Sequence, residues 1–517
     1  FFFHAHHAKP DAQESRGLGD VYKRQSLNSA MLLEAQTNSV IGSRPNVIYI
    51  LADDLGIGDI EPFGQRYIKT PNLNRMMNEG MRLLQHYAGN TVCAPSRASL
   101  MTGLHSGHAQ IRGNFELGGF TDEEEFGQMP LNPGTQTVAT MLADAGYRTG
   151  LVGKWGLGGP GSHGIPNKHG FDYFLGYLDQ KQAHNHYPTH LWENERWFPL
   201  NNAYLYPHQP LPRDADPFDP SSYESYKRDD YAQDRLTEAA LNFIKSNSEQ
   251  PFFLYLAFAA PHAALQIPED ELNQYLHFEE TPYTAQLNYL PHPTPRAARA
   301  AMISNVDSAV GRLMSLLREL GIDQDTLIIF SSDNGPTPEG GGDMQFFDSN
   351  GPYRGYKRDL YEGGIRMPTL ARWPGRIEAG SFSNHVSAFW DLMPTLAELA
   401  GVKAPSNDGI SFLPALLQED QARHESLYWE FHNVRGSHSQ AVRFFDSQNT
   451  SWKAVRIYDQ RTGLNPDFEL FNLDSDPYET TNVSATFPDL IRRAKQIMEQ
   501  SRTRSFIDAW NFDFLPL

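Results

Sequence analysis

Residues 46–54 read NVIYILADD, a short β-branched and aromatic run that stops at two carboxylates, Asp53 and Asp54. A strand buried in a parallel sheet has this form, because both of its faces are covered and its C-terminal end opens onto solvent or a ligand. Three later segments share it. Residues 148–154 (RTGLVGK) end in Lys154, residues 252–262 (FFLYLAFAAPH) in Pro-His, and residues 326–335 (TLIIFSSDNG) in Asp-Asn-Gly. Between them lie helical patterns at 137–145 (TVATMLADA), 234–246 (DRLTEAALNFIKS) and 303–320 (ISNVDSAVGRLMSLLREL), the first and last followed by a glycine stop. Strand and helix in alternation predict an α/β fold, a large mostly parallel sheet sandwiched by helices. Ligands of such sheets bind outside the carboxyl ends of the strands. That rule sets Asp53, Asp54, Lys154, His262, Asp333 and Asn334 along one rim.

Outward from this core, the helix-like stretch 390–400 (WDLMPTLAELA) gives way to short runs separated by turn residues: SLYWEF, SWKAVRIY and FELFNL, then a helix from about Pro488 to Arg502. The expected organisation is a catalytic α/β domain over 44–404 and a smaller C-terminal antiparallel-sheet-plus-helix subdomain over 405–517. Residues 1–43 show neither periodicity nor the order of a secretory signal, and are expected to be an extension or remnant outside the fold.

The 517 residues are 40% hydrophobic, 12% aromatic and 20% charged, with 41 Gly and 35 Pro, which excludes disorder, coiled coil and collagen. A net charge of -19 disfavours nucleic acid and anionic membrane, so an anionic substrate would need a local basic pocket. The most apolar stretch, 251–260 (PFFLYLAFAA), is about half the ~20 residues of a membrane helix and reads as a buried strand. One cysteine, Cys93, excludes an intrachain disulfide framework and a cysteine-based zinc site.

That cysteine opens residues 93–103, CAPSRASLMTG, immediately before a Pro-Ser-Arg turn and a helix-like run. Free N–H groups of a helix start, with Arg97 nearby, favour an anion or a thiolate. The segment resembles the sulfatase signature C-x-P-S-R-x-x-x-x-T-G at every specified position. The resemblance extends through GKWGLG at 153–158, SSDNG at 331–335, YEGGIRMP at 361–368 and FELFNLDSDPYETTNV near the end. A tyrosine-phosphatase reading fails, since only Ala94, Pro95 and Ser96 separate Cys93 from Arg97.

The resemblance implies an alkaline-phosphatase-like fold, periplasmic or secreted localisation, and a formylglycine made from Cys93 by a formylglycine-generating or anaerobic sulfatase-maturating enzyme. The hydrated formylglycine attacks sulfur. It also implies a Ca²⁺ site, with Mg²⁺ as the variant, built from Asp53, Asp54, Asp333, Asn334 and residue 93. The chemistry agrees independently: a hard cation wants oxygen ligands, and charge spreading over a transferring sulfuryl group wants a cation. Carboxylates clustered without a cation would repel one another. By the same resemblance Arg97 holds the diol, Lys154 and Lys357 contact sulfate, and His262 serves the bridging oxygen as general acid.

Gly156 departs from the family's GKWHLG, whose histidine helps to break down the covalent intermediate. Another base is then needed, with His163, His169 and His184 as candidates. Residues 179–199 (DQKQAHNHYPTHLWENERWFP) are rich in His, Tyr and Trp, as a sugar-recognition loop containing His184 would be, or as a surface hairpin packed on the core would be. No ligand pattern there favours zinc. GKWGLG and AHNHYPTHLW look similar to elements of bacterial polysaccharide sulfatases. That implies a sulfated carbohydrate substrate, with galactose or N-acetylgalactosamine sulfate, including the 4-sulfate, as the direction to test. The alternatives are a phosphodiesterase or phosphonate hydrolase of the same superfamily, or a non-catalytic calcium-dependent glycan-binding homologue.

Overall fold

Every residue of β1 (Asn46–Ala52) is buried, and its alternating side chains divide between two cores. The computed structural model describes residues 44–118, 124–286, 288–433, 436–459 and 468–512; residues 1–43 lie outside them. After β1 come β2 (Met81–Tyr87), β3 (Arg148–Lys154), β4 (Tyr173–Tyr177), β5 (His190–Glu193), β6 (Arg196–Pro199), β7 (Phe252–Ala257), β8 (Thr326–Ser332), β9 (Thr369–Arg372) and β10 (Ser381–Ala388). They form one sheet in the order β10-β2-β9-β8-β1-β7-β3-β4-β5-β6. From β8 to β4 all neighbours are parallel, whereas β9, β5 and β6 run antiparallel to theirs. The sheet is therefore mixed at its flanks and parallel at the centre that carries the site.

The longer helices are α1 (Pro71–Asn78), α2 (Cys93–Thr102), α3 (Val138–Asp144), α4 (Ala232–Asn247), α5 (Pro295–Glu319), α6 (Leu392–Ala400) and α7 (Pro488–Gln500). Ile48 and Ile50 face a core shared with α1, α4 and α5. Val47, Tyr49 and Leu51 face the opposite core, with α2, α3 and α6. This is the period-2 alternation of a strand covered on both sides. α5 starts at Pro295, earlier than the apolar period at 303 indicated; proline is well suited to the first helical turn. Among the described residues no helix is long and apolar enough to cross a membrane, and 252–257 is β7, a strand.

A second sheet joins β11 (Ser426–His432), β12 (Ser437–Phe445), β13 (Ser451–Asp459) and β14 (Glu469–Asn472), all antiparallel in that order. One face packs on Ala494 and Met498 of α7. On the other, Trp429, Phe431 and Phe471 share a core with Tyr87, Val92 and Trp390. Buried Lys453 pairs with Glu362 (2.9 Å) and Glu479 (3.0 Å), tying this sheet to the segment before β9.

Candidate active site

Because β8, β1, β7 and β3 are consecutive neighbours, their C-terminal ends deliver Asp333 and Asn334, Asp53 and Asp54, His262, and Lys154 to one place. Backbone bonds continue the ladder past the strands: Asp53 N–H donates to Ala260 O (3.2 Å) and Asp333 N–H to Ala52 O (3.1 Å). Gly153 makes the approach of β3 to β7 possible. Its φ is +116°, and a Cβ there would stand 1.9 Å from Ala257 O. Cys93 is the first residue of α2 rather than the residue before it, and all ten residues of that helix are buried.

The groups are bound to one another closely. Cys93 Sγ lies 3.5 Å from Asp53 Oδ1. Arg97 donates to Asp333 Oδ2 (2.9 Å), Asp53 Oδ2 (3.1 Å) and Lys154 O (2.7 Å). Lys154 Nζ donates to Asp53 Oδ2 (2.5 Å), and Lys357 Nζ sits 2.8 Å from the Asp54 carboxylate and 3.2 Å from His262 Nε2. Asn334 Nδ2 donates to Asp54 Oδ1 (2.7 Å).

Electrostatics corrects one expectation and refines another. Burial, with the carboxylates of Asp53 and Asp333, pushes the Cys93 thiol well above its ordinary pKa, so the helix start and Arg97 do not produce a thiolate. The three carboxylates do repel, Asp53 raising both Asp54 and Asp333, but buried Arg97, Lys154 and Lys357 offset part of that repulsion. Burial would raise Asp53, but Lys154, then His262, Arg97 and Lys357, hold it well below the carboxylate range. Lys357 similarly holds Asp54 down against burial. Asp333 goes the other way: burial and Asp53 push it up to about 6 despite Arg97. Burial and Lys357 press His262 down to about 4.

The donor set fits a hard cation. Atoms of Asp53, Asp54, Cys93 and His262 lie within 4.8 Å of one another, and Asn334 Oδ1 is buried without a hydrogen-bond partner. Carboxylate and amide oxygens are what Ca²⁺ or Mg²⁺ requires. Asp333 borders this group, with Oδ2 turned to Arg97 and Oδ1 3.3 Å from the Asp54 N–H.

Cys93, His262, Lys357 and His184 line a cleft of about 430 Å³, of small-molecule size. His184 stacks on His262 at 4.5 Å and 8°. The other two histidines considered in place of Gly156 are not in the cleft lining: His169 Nε2 bonds His163 O (3.1 Å), behind Trp155. Sequence reasoning missed Asn114, Glu116, Gln180, Tyr289 and Arg358, which share the lining. It also missed Arg299, which donates to Asp54 O (3.3 Å) and Asp59 Oδ2 (2.7 Å) from α5. Of these only Gln180 belongs to a run that stands out in one dimension, 179–199, where the histidines and aromatics drew the attention.

The chain is similar to known proteins over most of its length. A family model described as Sulfatase matches residues 45–402, and one described as N-sulphoglucosamine sulphohydrolase, C-terminal, matches 351–504. N-acetylgalactosamine-6-sulfatase of Rattus norvegicus is 30% identical over 502 residues, covering 88% of this chain and 85% of that protein. Steryl-sulfatase of Homo sapiens is 31% identical over 479 residues, covering 82% and 77%. Among solved structures, Ps i-CgsB in complex with k-i-k-neocarrahexaose superposes with a TM-score of 0.70 at 27% identity, covering 92% of this chain and 98% of that one. With the signature cysteine in the lining of a cleft beside the central strand ends, the chain belongs to the sulfatase family: it is a sulfuric ester hydrolase of alkaline-phosphatase-like fold.

Proposed function

We propose that the chain hydrolyses sulfate esters of carbohydrate, with galactose or N-acetylgalactosamine sulfates, the 4-sulfate among them, as the substrates to test first. The carrying observation is the composition of the cleft. Cys93, Lys357 and His262 line it, with Asp53 against Cys93 and Lys154 bound to Asp53 behind them, and amide, aromatic, imidazole and charged side chains line the rest. Relatives named for an N-acetylgalactosamine sulfate, and a neighbour solved with k-i-k-neocarrahexaose, support the carbohydrate reading.

In hydrated formylglycine form, residue 93 would supply the nucleophilic oxygen, and a Ca²⁺ held by Asp53, Asp54, Asp333, Asn334 and residue 93 would supply positive charge to the sulfuryl group. The remaining work belongs to the chain's own side chains. Lys154 and Lys357 bind the anionic ester and are pre-positioned by Asp53 and Asp54, so little reorganisation accompanies binding. Arg97, fully buried between Asp53 and Asp333, orients the start of α2. His262 Nδ1 bonds the Ala263 carbonyl, which leaves Nε2 beside Lys357. There it can hand a proton to the bridging oxygen once the anionic ester raises its affinity for one.

The test is production alongside a formylglycine-generating or anaerobic sulfatase-maturating enzyme. The peptide containing residue 93 is expected to lose about 18 Da, CH₂SH becoming CHO, and Cys93→Ala to abolish turnover. A panel of galactose and N-acetylgalactosamine 4- and 6-sulfates, set against the corresponding phosphate esters, reads the substrate. Full activity in Cys93→Ala would overturn the mechanism, and preference for phosphate would overturn the ester class.

A further inference from the structure

Gln180 lines the same cleft as Cys93. It is 2% exposed, and its amide Oε1 is buried without a hydrogen-bond partner. A buried amide oxygen left unpaired is costly, and sites that keep one are commonly completed by a ligand.

The local backbone explains how the amide comes to stand there. Trp155 N–H donates to Tyr177 O (3.0 Å) and Gly156 N–H to Leu178 O (3.2 Å), which stitches the GKWGLG segment to the chain just before Gln180. Asp179 Oδ1 accepts from the Lys181 N–H (2.6 Å) and fixes the turn on the other side. Gly156 has φ +75°, and a Cβ at that position would lie 2.9 Å from Gln180 Oε1, tighter than real Cβ contacts. The glycine that departs from the family's histidine is thus the residue that leaves room for the Gln180 amide.

We infer that Gln180 determines specificity by hydrogen-bonding a free hydroxyl of the sugar ring that carries the sulfate, and that Gly156 is what admits it. The inference rests on the carbohydrate reading above and deepens it: the substrate class becomes a sugar sulfate with an unsubstituted hydroxyl beside the ester. A hydroxyl both donates and accepts, so it completes the amide whichever way the amide is turned. Gln180 makes no hydrogen bond to Lys154, Lys357 or His262, the groups assigned to the sulfate, so its loss should register on the sugar.

The experiment compares kcat/KM of the matured protein for a sugar sulfate, for the deoxy analogues lacking each hydroxyl adjacent to the ester in turn, and for an activated aryl sulfate. One deoxy analogue is expected to be about ten- to a hundredfold poorer for the wild type. Gln180→Met, similar in length, should lose at least tenfold more on the parent sugar than on the aryl sulfate and no longer distinguish parent from deoxy. Gly156→Ala, which crowds the amide without removing it, should lose the same discrimination. Calorimetric titration of Cys93→Ser with parent and deoxy sugars reads the contact without turnover. If the wild type treated parent and deoxy sugars alike, or Gln180→Met kept the wild-type discrimination, this inference alone would fall. Turnover of the aryl sulfate with no sugar sulfate accepted would overturn the carbohydrate reading as well.

Discussion

His262 is held from three directions: Nδ1 by the Ala263 carbonyl, the ring face by His184, and Nε2 by Lys357 and the Asp54 carboxylate 3.4 Å away. Its Nε2 is the atom that can serve a leaving alkoxide. Charge builds on the bridging oxygen as the S–O bond breaks, so His262→Ala should hurt sugar sulfates about tenfold or more beyond an activated aryl sulfate, whose phenolate leaves without a proton. Steady-state kinetics on the two substrates checks this; equal losses would move the acid to the stacked His184. Asp179 allows a second prediction, on stability. Burial, with the charge of Glu116, raises its carboxyl to about 7, and Oδ2 has no partner. Between the ordinary value and about 7 the folded state binds more protons than the unfolded, so stability falls as pH rises through that window. Asp179→Asn retains the Oδ1 acceptor and removes the charge. It should raise the free energy of unfolding at pH 8 by on the order of a few kcal/mol, read as a higher Tm, and have little effect at pH 4.

At the scale of elements, the site depends on how tightly β3 lies against β7. Gly153→Ala would put a methyl against Ala257 O and impose a positive φ on a side chain, so the strand end bearing Lys154 must move. Denaturant unfolding should show a loss of about 1–3 kcal/mol, and kcat/KM should drop with it. The central strands were legible because NVIYILADD, FFLYLAFAAPH and TLIIFSSDNG are buried on both faces and so read as near-continuous apolar runs. β12 was not, since SHSQAVRFF opens polar and its residues are buried by pairing between β11 and β13. The rim residues were legible from their places at strand ends. Gln180 was not, because an amide orphaned beside a glycine is visible only when Gly156 and the 177–180 segment lie side by side. The thiolate expectation failed for the same physical reason: a helix start and an arginine are local signals, whereas burial and two carboxylates come from distant parts of the chain.

Across the whole molecule a net charge of -19 coexists with a site in which Arg97, Lys154 and Lys357 offset Asp53, Asp54 and Asp333. A divalent cation added to that balance leaves an excess of positive charge for an anionic ester. Prolonged chelation should therefore abolish turnover yet leave a folded protein with a lower Tm. Calcium should restore both, with about 2.7 kcal/mol of stabilisation at a hundredfold excess over Kd; activity and Tm unchanged by chelation would rule out the metal. The burial of Cys93 has a bearing on the life history of the molecule. It is 1% exposed, at the head of a helix with no exposed residue. An enzyme that must grip the CAPSR segment to oxidise that thiol would find nothing to hold once the chain has closed around it. The maturation proposed above would then have to fall between synthesis and folding, and a copy that folded first would stay shut out of activity for as long as it remained folded.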